Sequence, residues 1–139
     1  IDEYSTIDVS KIEEKITDNT IAIIPVHLYG QACDMQAIMQ IATEYNIAVI
    51  EDNAQAQGAS FDGKLTGSFG VVNATSFYPS KNLGALGDAG AVTTNDEALA
   101  NVILELGNYG SSKKYYNRIK GINSRLDELQ ALFLRIRLI

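Results

Sequence analysis

Four short apolar runs, separated by segments with helical periodicity, constrain the fold of this chain most strongly. Continuous apolar runs of this length are typical of strands in a parallel sheet, where both faces are covered. The segments between and after them repeat their apolar residues at helical spacing. This alternation predicts an α/β fold, a three-layer sandwich with a mostly parallel sheet. The runs are IAIIPV (21–26), IAVIED (47–52), GVVNATSFY (70–78) and AVTTN (91–95).

The helical segments follow residues that can cap a helix N-terminus. We expect helices to begin at Asp34, at Asn95 and at Ser124, where Asp127 would complete an acidic capping box. A further short helix is expected in DVSKIEEKIT (8–17). The predicted core-facing positions are Met35, Ile38, Met39, Ala42 and Tyr45 in the first helix, and Leu99, Val102, Ile103 and Leu106, before the stop at Gly107, in the second.

Composition excludes several classes of function. The chain has 139 residues, the length of one domain, and a formal net charge of −6. An acidic protein is repelled by nucleic acids and by anionic membranes, so neither is expected as a partner. The single Cys33 excludes an internal disulfide and fits a reducing compartment, which predicts a cytoplasmic protein. One cysteine and one histidine do not favour a structural zinc site.

Polar residues follow three of the predicted strands. In parallel sheets, ligands bind at the carboxyl ends of the strands. His27, Asp52 and the segment from Ser76 to Lys81 all lie at or just beyond such ends, so we expect them to converge on one site. For His27 itself, a structural role with satisfied hydrogen bonds is predicted rather than a catalytic one.

Lys81 lies in SFYPSKNLGALGDAGAV (76–92), directly after an apolar run. Partial desolvation there would lower the pKa of its amine and favour a nucleophile that forms Schiff bases with carbonyl compounds. A surface lysine with a solvated ammonium, or a point charge for a phosphate, are the alternatives. Glycines at 84, 87 and 90 would allow close approach to a ligand, or serve turns. A P-loop does not match, because its glycines precede the lysine.

Asp52 presents the opposite charge at the end of a neighbouring run. It could cap a local turn, or it could pair with a cationic group of a ligand. Gln55, three residues later, could face the same ligand or be a polar turn residue. Enzymes that depend on pyridoxal phosphate use such a pair: an acid binds the pyridinium nitrogen of the cofactor and a lysine binds its aldehyde.

Four segments, in this order and spacing, resemble the DegT/DnrJ/EryC1/StrS family of sugar aminotransferases. The resemblance implies the aspartate aminotransferase-like fold of type I pyridoxal phosphate-dependent transferases. It further implies that residues 1–139 are a single partial domain, the central part of the large cofactor-binding domain, without the N-terminal segment and the C-terminal small domain. The segments are PVHLYGQ (25–31), VIEDNAQAQGA (49–59), SFYPSKNLGALGDAGAV (76–92) and INSRLDELQA (122–131).

The resemblance implies roles for five residues toward pyridoxal 5'-phosphate. Lys81 matches the lysine that binds the cofactor covalently and later relays a proton, and Asp52 matches the acid that keeps the pyridine nitrogen protonated. Gln55 matches a residue near the ring hydroxyl, and Ser76 a hydroxyl donor to the phosphate. Asn123 matches an asparagine that reaches the cofactor phosphate of the neighbouring subunit, which implies a homodimer with shared active sites.

Without the resemblance, Ser76 could be an inward-facing strand hydroxyl and Asn123 a turn residue. The one basic stretch, KKYYNRIK (113–120), is predicted to be a solvated loop; the alternative is a contact with a nucleotide pyrophosphate.

The function implied is transfer of an amino group from an amino acid such as glutamate to a nucleotide-linked keto-deoxysugar. One alternative is a dehydratase of the same family, in which histidine replaces the lysine; the presence of Lys81 favours transamination. Another alternative is an inactive folded fragment that binds no cofactor. This alternative arises because two parts of the family's cofactor site do not occur within these residues: the earlier phosphate-binding turn and the aromatic residue that stacks on the ring.

Overall fold

A four-stranded sheet forms the centre of the computed structural model, which describes all 139 residues. β1 (Ala22–Ile23) and β2 (Ala48–Asp52) pair in parallel, as do β2 and β5 (Val72–Ser76), whereas β6 (Gly90–Thr93) runs antiparallel to β5. The α/β class with a mostly parallel sheet is therefore confirmed. In spatial order the strands of this sheet are β1, β2, β5 and β6. Two small hairpins lie outside it and pair β3 (Ser60–Phe61) with β4 (Lys64–Leu65) and β7 (Ser111–Lys113) with β8 (Tyr116–Asn117).

Three α-helices accompany the sheet: α1 (Met35–Glu44), α2 (Glu97–Gly107) and α3 (Glu128–Arg137). The short helix predicted at the N-terminus forms instead as two 3₁₀ turns, Val9–Lys11 and Glu13–Lys15. A third 3₁₀ turn, Leu28–Gly30, follows the first apolar run. None of the helices is both long and apolar enough to cross a membrane.

Two of the predicted helix starts are wrong. The N-cap of α2 is Asp96 rather than Asn95, since the Asp96 carboxylate accepts the N–H of Leu99. The N-cap of α3 is Asp127 rather than Ser124, since the Asp127 carboxylate accepts the N–H of Gln130. An aspartate at the N-cap satisfies a free N–H and also complements the helix dipole.

The hydrophobic core lies between α1 and one face of the sheet. Asp34 caps α1 as predicted by accepting the N–H of Ala37. Tyr45, predicted to face the core, is exposed because it lies at the C-cap, and Ile41 is buried in the stripe instead. The buried cluster comprises Ile12, Ile23, Cys33, Met35, Ile38, Ile41, Ala42 and Val49.

The opposite face of the sheet is open. The strand register aligns Val26, Asp52, Ala74 and Val92 in one row across it. Val26, in the first run, is 41% exposed, so the expectation that this run is covered on both faces is wrong within these residues. Val92, in the fourth run, is 48% exposed. We call this surface the open face.

Helix α2 borders the open face. Its Ile103 and Leu106 line a groove together with Ala74 and Val92 of the sheet. Leu106 is nevertheless exposed, and the one buried residue of α2 is Glu105. The apolar stripe predicted for this helix therefore faces a groove and is not buried within these residues.

A buried carboxylate joins the centre of the sheet to the loop that precedes β5. Glu51 is fully buried, and its two oxygens accept the backbone N–H groups of Gly67 (2.6 Å), Phe69 (2.6 Å) and Gly70 (2.7 Å). The same carboxylate lies 3.1 Å from Nε2 of His27. Burial by itself would raise the pKa of Glu51, but the hydrogen bonds from the imidazole and the three N–H groups outweigh it and hold the pKa below its ordinary value.

His27 is the structural histidine that the sequence predicts. Its ring is completely buried, and the backbone N–H of Cys33 donates to Nδ1 at 3.1 Å. Because Nδ1 accepts this N–H, the ring hydrogen lies on Nε2, from which it is donated to Glu51. Both ring nitrogens are thereby satisfied within the protein.

Replacing Glu51 by alanine should strongly destabilise the fold. Three buried backbone N–H groups and the Nε2–H of His27 would lose their acceptor. We expect the free energy of unfolding, measured by urea denaturation, to fall by about 3–5 kcal/mol. Glu44→Ala, at an exposed position at the end of α1, is the control and should change it by less than about 0.5 kcal/mol. Equal losses in the two variants would contradict the role of Glu51.

The lowered pKa of Glu51 predicts a loss of stability in acid. Because the carboxyl binds its proton more weakly in the folded protein, its stabilising contribution is complete above the unfolded pKa of about 4.3. It is lost as the pH falls through the lower folded value. Urea midpoints measured between neutral pH and the onset of acid denaturation should decline more steeply for the wild type than for Glu51→Ala. Parallel curves would argue against this titration.

Candidate functional site

Asp52 and Ser76 lie at the carboxyl ends of two neighbouring parallel strands. Asp52 ends β2 and Ser76 ends β5, and the register pairs Asp52 with Ala74, two residues before Ser76. Because side chains alternate along a strand, Asp52 and Ser76 both belong to the open face. Both are half-buried. The sequence rule for ligand sites in parallel sheets therefore correctly brings these two residues to one edge of the sheet.

The Asp52 carboxylate has one oxygen in use. Its Oδ1 accepts the backbone N–H of Ala54 at 3.0 Å, which is the local turn bond that the sequence allowed. Its Oδ2 has no partner within the chain. Asp52 can therefore cap the turn with one oxygen and offer the other to a cationic group on the open face.

His27 joins this edge through its backbone alone. Its N–H donates to the carbonyl oxygen of Asp52 at 3.1 Å, while its ring lies on the α1 side with Glu51. The expected convergence of all three strand ends is therefore wrong for the imidazole. Sequence reasoning missed Glu51, although a carboxylate inside an apolar run of a chain with one histidine was a usable signal.

Gln55 connects two of the loops at the carboxyl edge. Its Oε1 accepts the backbone N–H of Tyr29 at 2.9 Å, and Tyr29 has the left-handed φ of 56° within its 3₁₀ turn. The carbonyl end of Gln55 is therefore occupied. The amide NH₂ group has no protein acceptor and can donate to a ligand.

Ser76 is fixed from two sides at the end of β5. Its Oγ accepts the backbone N–H of Tyr78 at 3.2 Å, and its carbonyl oxygen accepts a hydrogen bond from Nε2 of Gln57. The hydroxyl hydrogen of Ser76 has no acceptor in the chain, so it can be donated outward. Gln57 is a contributor that the sequence did not reveal, because its partner is 19 residues away.

Lys81 lies in the turn that follows β5. Its backbone N–H donates to the carbonyl oxygen of Tyr78 at 2.8 Å, and the residue is half-buried. Its ammonium forms no hydrogen bond or ion pair with the rest of the chain. The segment that contains it is closed at its base by the Phe77 N–H bond to Ala89 O (2.8 Å) and the Ala85 N–H bond to Phe77 O (2.7 Å). We call residues 77–89 the lysine loop.

Two of the glycines near Lys81 make room for the chain itself. A Cβ on Gly84 would lie 2.5 Å from the carbonyl oxygen of Pro79, and one on Gly90 would lie 2.9 Å from that of Thr75. Both positions therefore require close backbone contact inside the protein. Of the two readings of these glycines, the structural one accounts for 84 and 90.

Asn123 forms no hydrogen bond with the other predicted site residues. It is exposed, pairs with Asn108 in an isolated bridge and accepts a hydrogen bond from Nε of Arg125 at 3.0 Å through Oδ1. Its NH₂ group has no acceptor in the chain. Its neighbours Ile122 and Ser124 line the groove beside α2.

The basic stretch 113–120 includes the β7–β8 hairpin and is largely exposed, as predicted. One of its cations has a structural partner, since Arg118 Nη2 lies 2.7 Å from Oε2 of Glu105.

The unused polar groups at this edge match the chemical groups of pyridoxal phosphate. A carboxylate oxygen of Asp52 could hold a protonated ring nitrogen, and the Lys81 amine could hold the aldehyde. The Ser76 hydroxyl could donate to the phosphate and the Gln55 amide to the ring hydroxyl. The residues present therefore fit this cofactor.

Comparison with known proteins identifies the family of this chain. A family model described as the DegT/DnrJ/EryC1/StrS aminotransferase family matches residues 1–139. The dTDP-3-amino-3,6-dideoxy-alpha-D-galactopyranose transaminase of Aneurinibacillus thermoaerophilus is 63% identical over 132 residues, covering 95% of this chain and 36% of that protein. The dTDP-3-amino-3,4,6-trideoxy-alpha-D-glucose transaminase of Streptomyces venezuelae is 49% identical over 137 residues, covering 99% and 36%.

A solved structure of similar fold is that of S. venezuelae DesV in complex with a ketimine intermediate. It superposes with a TM-score of 0.93 at 51% identity, covering 96% of this chain and 36% of that one. The chain thus spans about a third of the length of the relatives it matches.

Proposed function

Because the chain belongs to the DegT/DnrJ/EryC1/StrS aminotransferase family, we propose that the protein carrying it is a pyridoxal phosphate-dependent aminotransferase acting on a nucleotide-linked keto-deoxysugar. One observation carries the proposal. Asp52 and Ser76 end adjacent parallel strands on the same open face, and Lys81 follows five residues later, each with a polar group that the protein leaves unused.

Each residue has a distinct role in this proposal. Bound pyridoxal phosphate supplies an aldehyde that amines attack and a ring that accepts electrons when its nitrogen is protonated. Asp52 would hold that ring proton through its free Oδ2. Lys81 would hold the aldehyde through Nζ and, as a neutral amine, would take up and return a proton as a general base and acid. Ser76 and Gln55 orient the ring by donating hydrogen bonds.

The substrate class follows from the names of the relatives. Two of them, at 63% and 49% identity, are transaminases of dTDP-linked 3-amino deoxysugars. A nucleotide-linked sugar with a ketone at C3 is therefore the proposed acceptor, and an amino acid such as glutamate is the proposed donor. Both lie on the open face in this proposal, since Asp52 and Ser76 belong to it.

Transamination is favoured over dehydration by the residue at position 81. A lysine amine can both bind the aldehyde and relay the proton that amino transfer needs, whereas the family's dehydratases have histidine there. The remaining alternative is a folded piece without cofactor. The chain spans about a third of its relatives, so the proposed site would be completed by residues beyond this sequence.

A homodimer with shared sites is part of the proposal. Asn123 is exposed, its NH₂ group has no acceptor in the chain, and it forms no hydrogen bond with Asp52 or Ser76. A phosphate bound in a second subunit would provide that acceptor. The exposed apolar side chains of the open face are consistent with burial against further protein.

Lys81 should be the lysine that pyridoxal phosphate modifies. Incubation of the purified protein with the cofactor, reduction with borohydride and peptide mass spectrometry should give an adduct on Lys81, because this is the lysine that the proposal assigns to the aldehyde, in the turn that follows the strand of Ser76. Lys81→Arg should lose the adduct, and Lys64→Arg, an exposed position on β4, should keep it. Adducts spread over many lysines, or none at all, would favour the inactive piece.

Asp52→Asn should remove the electron sink while preserving the fold. The neutral amide keeps the turn acceptor for Ala54 but no longer stabilises a protonated ring nitrogen. We expect the rate of amino transfer from glutamate to fall by at least about 100-fold, with an unchanged melting temperature. Asp62→Asn, in the exposed β3–β4 turn, is the matched control. Retained activity in Asp52→Asn would remove the assigned role of Asp52.

A further inference from the structure

A glutamine of α3 holds the lysine loop from outside. Leu86 and Gly87, in the second half of the loop, both donate their backbone N–H to Oε1 of Gln130, at 2.8 and 3.2 Å. One amide oxygen has two lone pairs, so these two bonds use its whole accepting capacity. The contact spans 43 and 44 residues of sequence and joins the INSRLDELQA segment to the segment of Lys81.

A second side chain of α3 supports the same segment. Arg137 Nη1 donates to the carbonyl oxygen of Gly84 at 3.1 Å. Gln130 and Arg137 are seven residues apart, about two helical turns, and therefore lie on the same side of α3. Leu134, the one buried residue of the helix, lies between them in sequence. This side of α3 therefore packs against the rest of the protein.

The supported segment lies directly against the turn that bears Lys81. A Cβ on Gly84 would approach the carbonyl oxygen of Pro79 to 2.5 Å and that of Tyr78 to 2.9 Å, so the two halves of the loop are in close backbone contact. The backbone N–H of Lys81 is itself bonded to Tyr78. A displacement at Gly84 therefore acts directly on the backbone of this turn.

We infer that Gln130 is a positioning residue for Lys81. It fixes the second half of the lysine loop, and the contact at Gly84 transmits this to the turn that carries the amine. Its two hydrogen bonds require an acceptor and not a donor, so a carboxylate can replace the amide oxygen. That the positioned amine is the reactive one rests on the proposed function; the positioning itself does not.

The test compares Gln130→Ala with Gln130→Glu in the whole protein. Gln40→Ala, at an exposed helical position of α1 without a side-chain hydrogen bond, is the matched control. The first measurement is hydrogen exchange at the amides of Leu86 and Gly87. The second is competitive acetylation of Lys81 against Lys64 with trace acetic anhydride, which reports the environment of the amine without any cofactor.

Gln130→Ala should speed exchange at both amides on the order of tenfold, because two hydrogen bonds are lost. It should also change the acetylation of Lys81 relative to Lys64 several-fold. Gln130→Glu should restore both values at neutral pH, and Gln40→Ala should change neither.

Unchanged exchange at Leu86 and Gly87 in Gln130→Ala would overturn the inference, and so would faster exchange with unaltered Lys81 reactivity. Failure of Gln130→Glu to restore Lys81 reactivity would also count against it. If the wild-type protein gave no pyridoxal adduct on Lys81, the proposed function would fail, while exchange and acetylation would still decide the role of Gln130.

Discussion

The buried carboxylate of Glu51 is the interaction on which the rest of the site depends. It collects three backbone N–H groups from the loop before β5 and the imidazole proton of His27 from the loop after β1. Both loops flank β2, so one ionised side chain sets how three parallel segments meet. An uncompensated charge at this depth would be costly, which is why every one of its contacts is a hydrogen-bond donor.

Successive side chains of β2 point to opposite faces of the sheet, and this separates a structural carboxylate from one that is free to bind a ligand. Glu51 faces α1 and is satisfied within the protein, whereas its neighbour Asp52 faces the other way and keeps one oxygen free. Two adjacent carboxylates thus have opposite roles because side chains alternate between the two faces of the sheet. The position of Asp52 is fixed by the anchoring of Glu51, since a shift of one residue would exchange the two faces.

Local pattern predicted the fold class and the placement of Asp52 and Ser76, because both follow from apolar runs and from the direction of parallel strands. It misplaced two helix caps by one and three residues, because an aspartate that follows each predicted cap accepts the helix N–H instead. It could not reveal Gln57 or Gln130. Their partners are 19 and more than 40 residues away, and no local periodicity encodes such contacts.

The antiparallel course of β6 has a consequence for the order in which this region assembles. β5 and β6 form a hairpin around the lysine loop, so their pairing closes a short stretch of chain at little entropic expense. The bonds from Gln130 must wait for a helix made more than 40 residues later. We expect a nascent chain to fold its hairpin first and to gain a rigid tip only when the following helix docks.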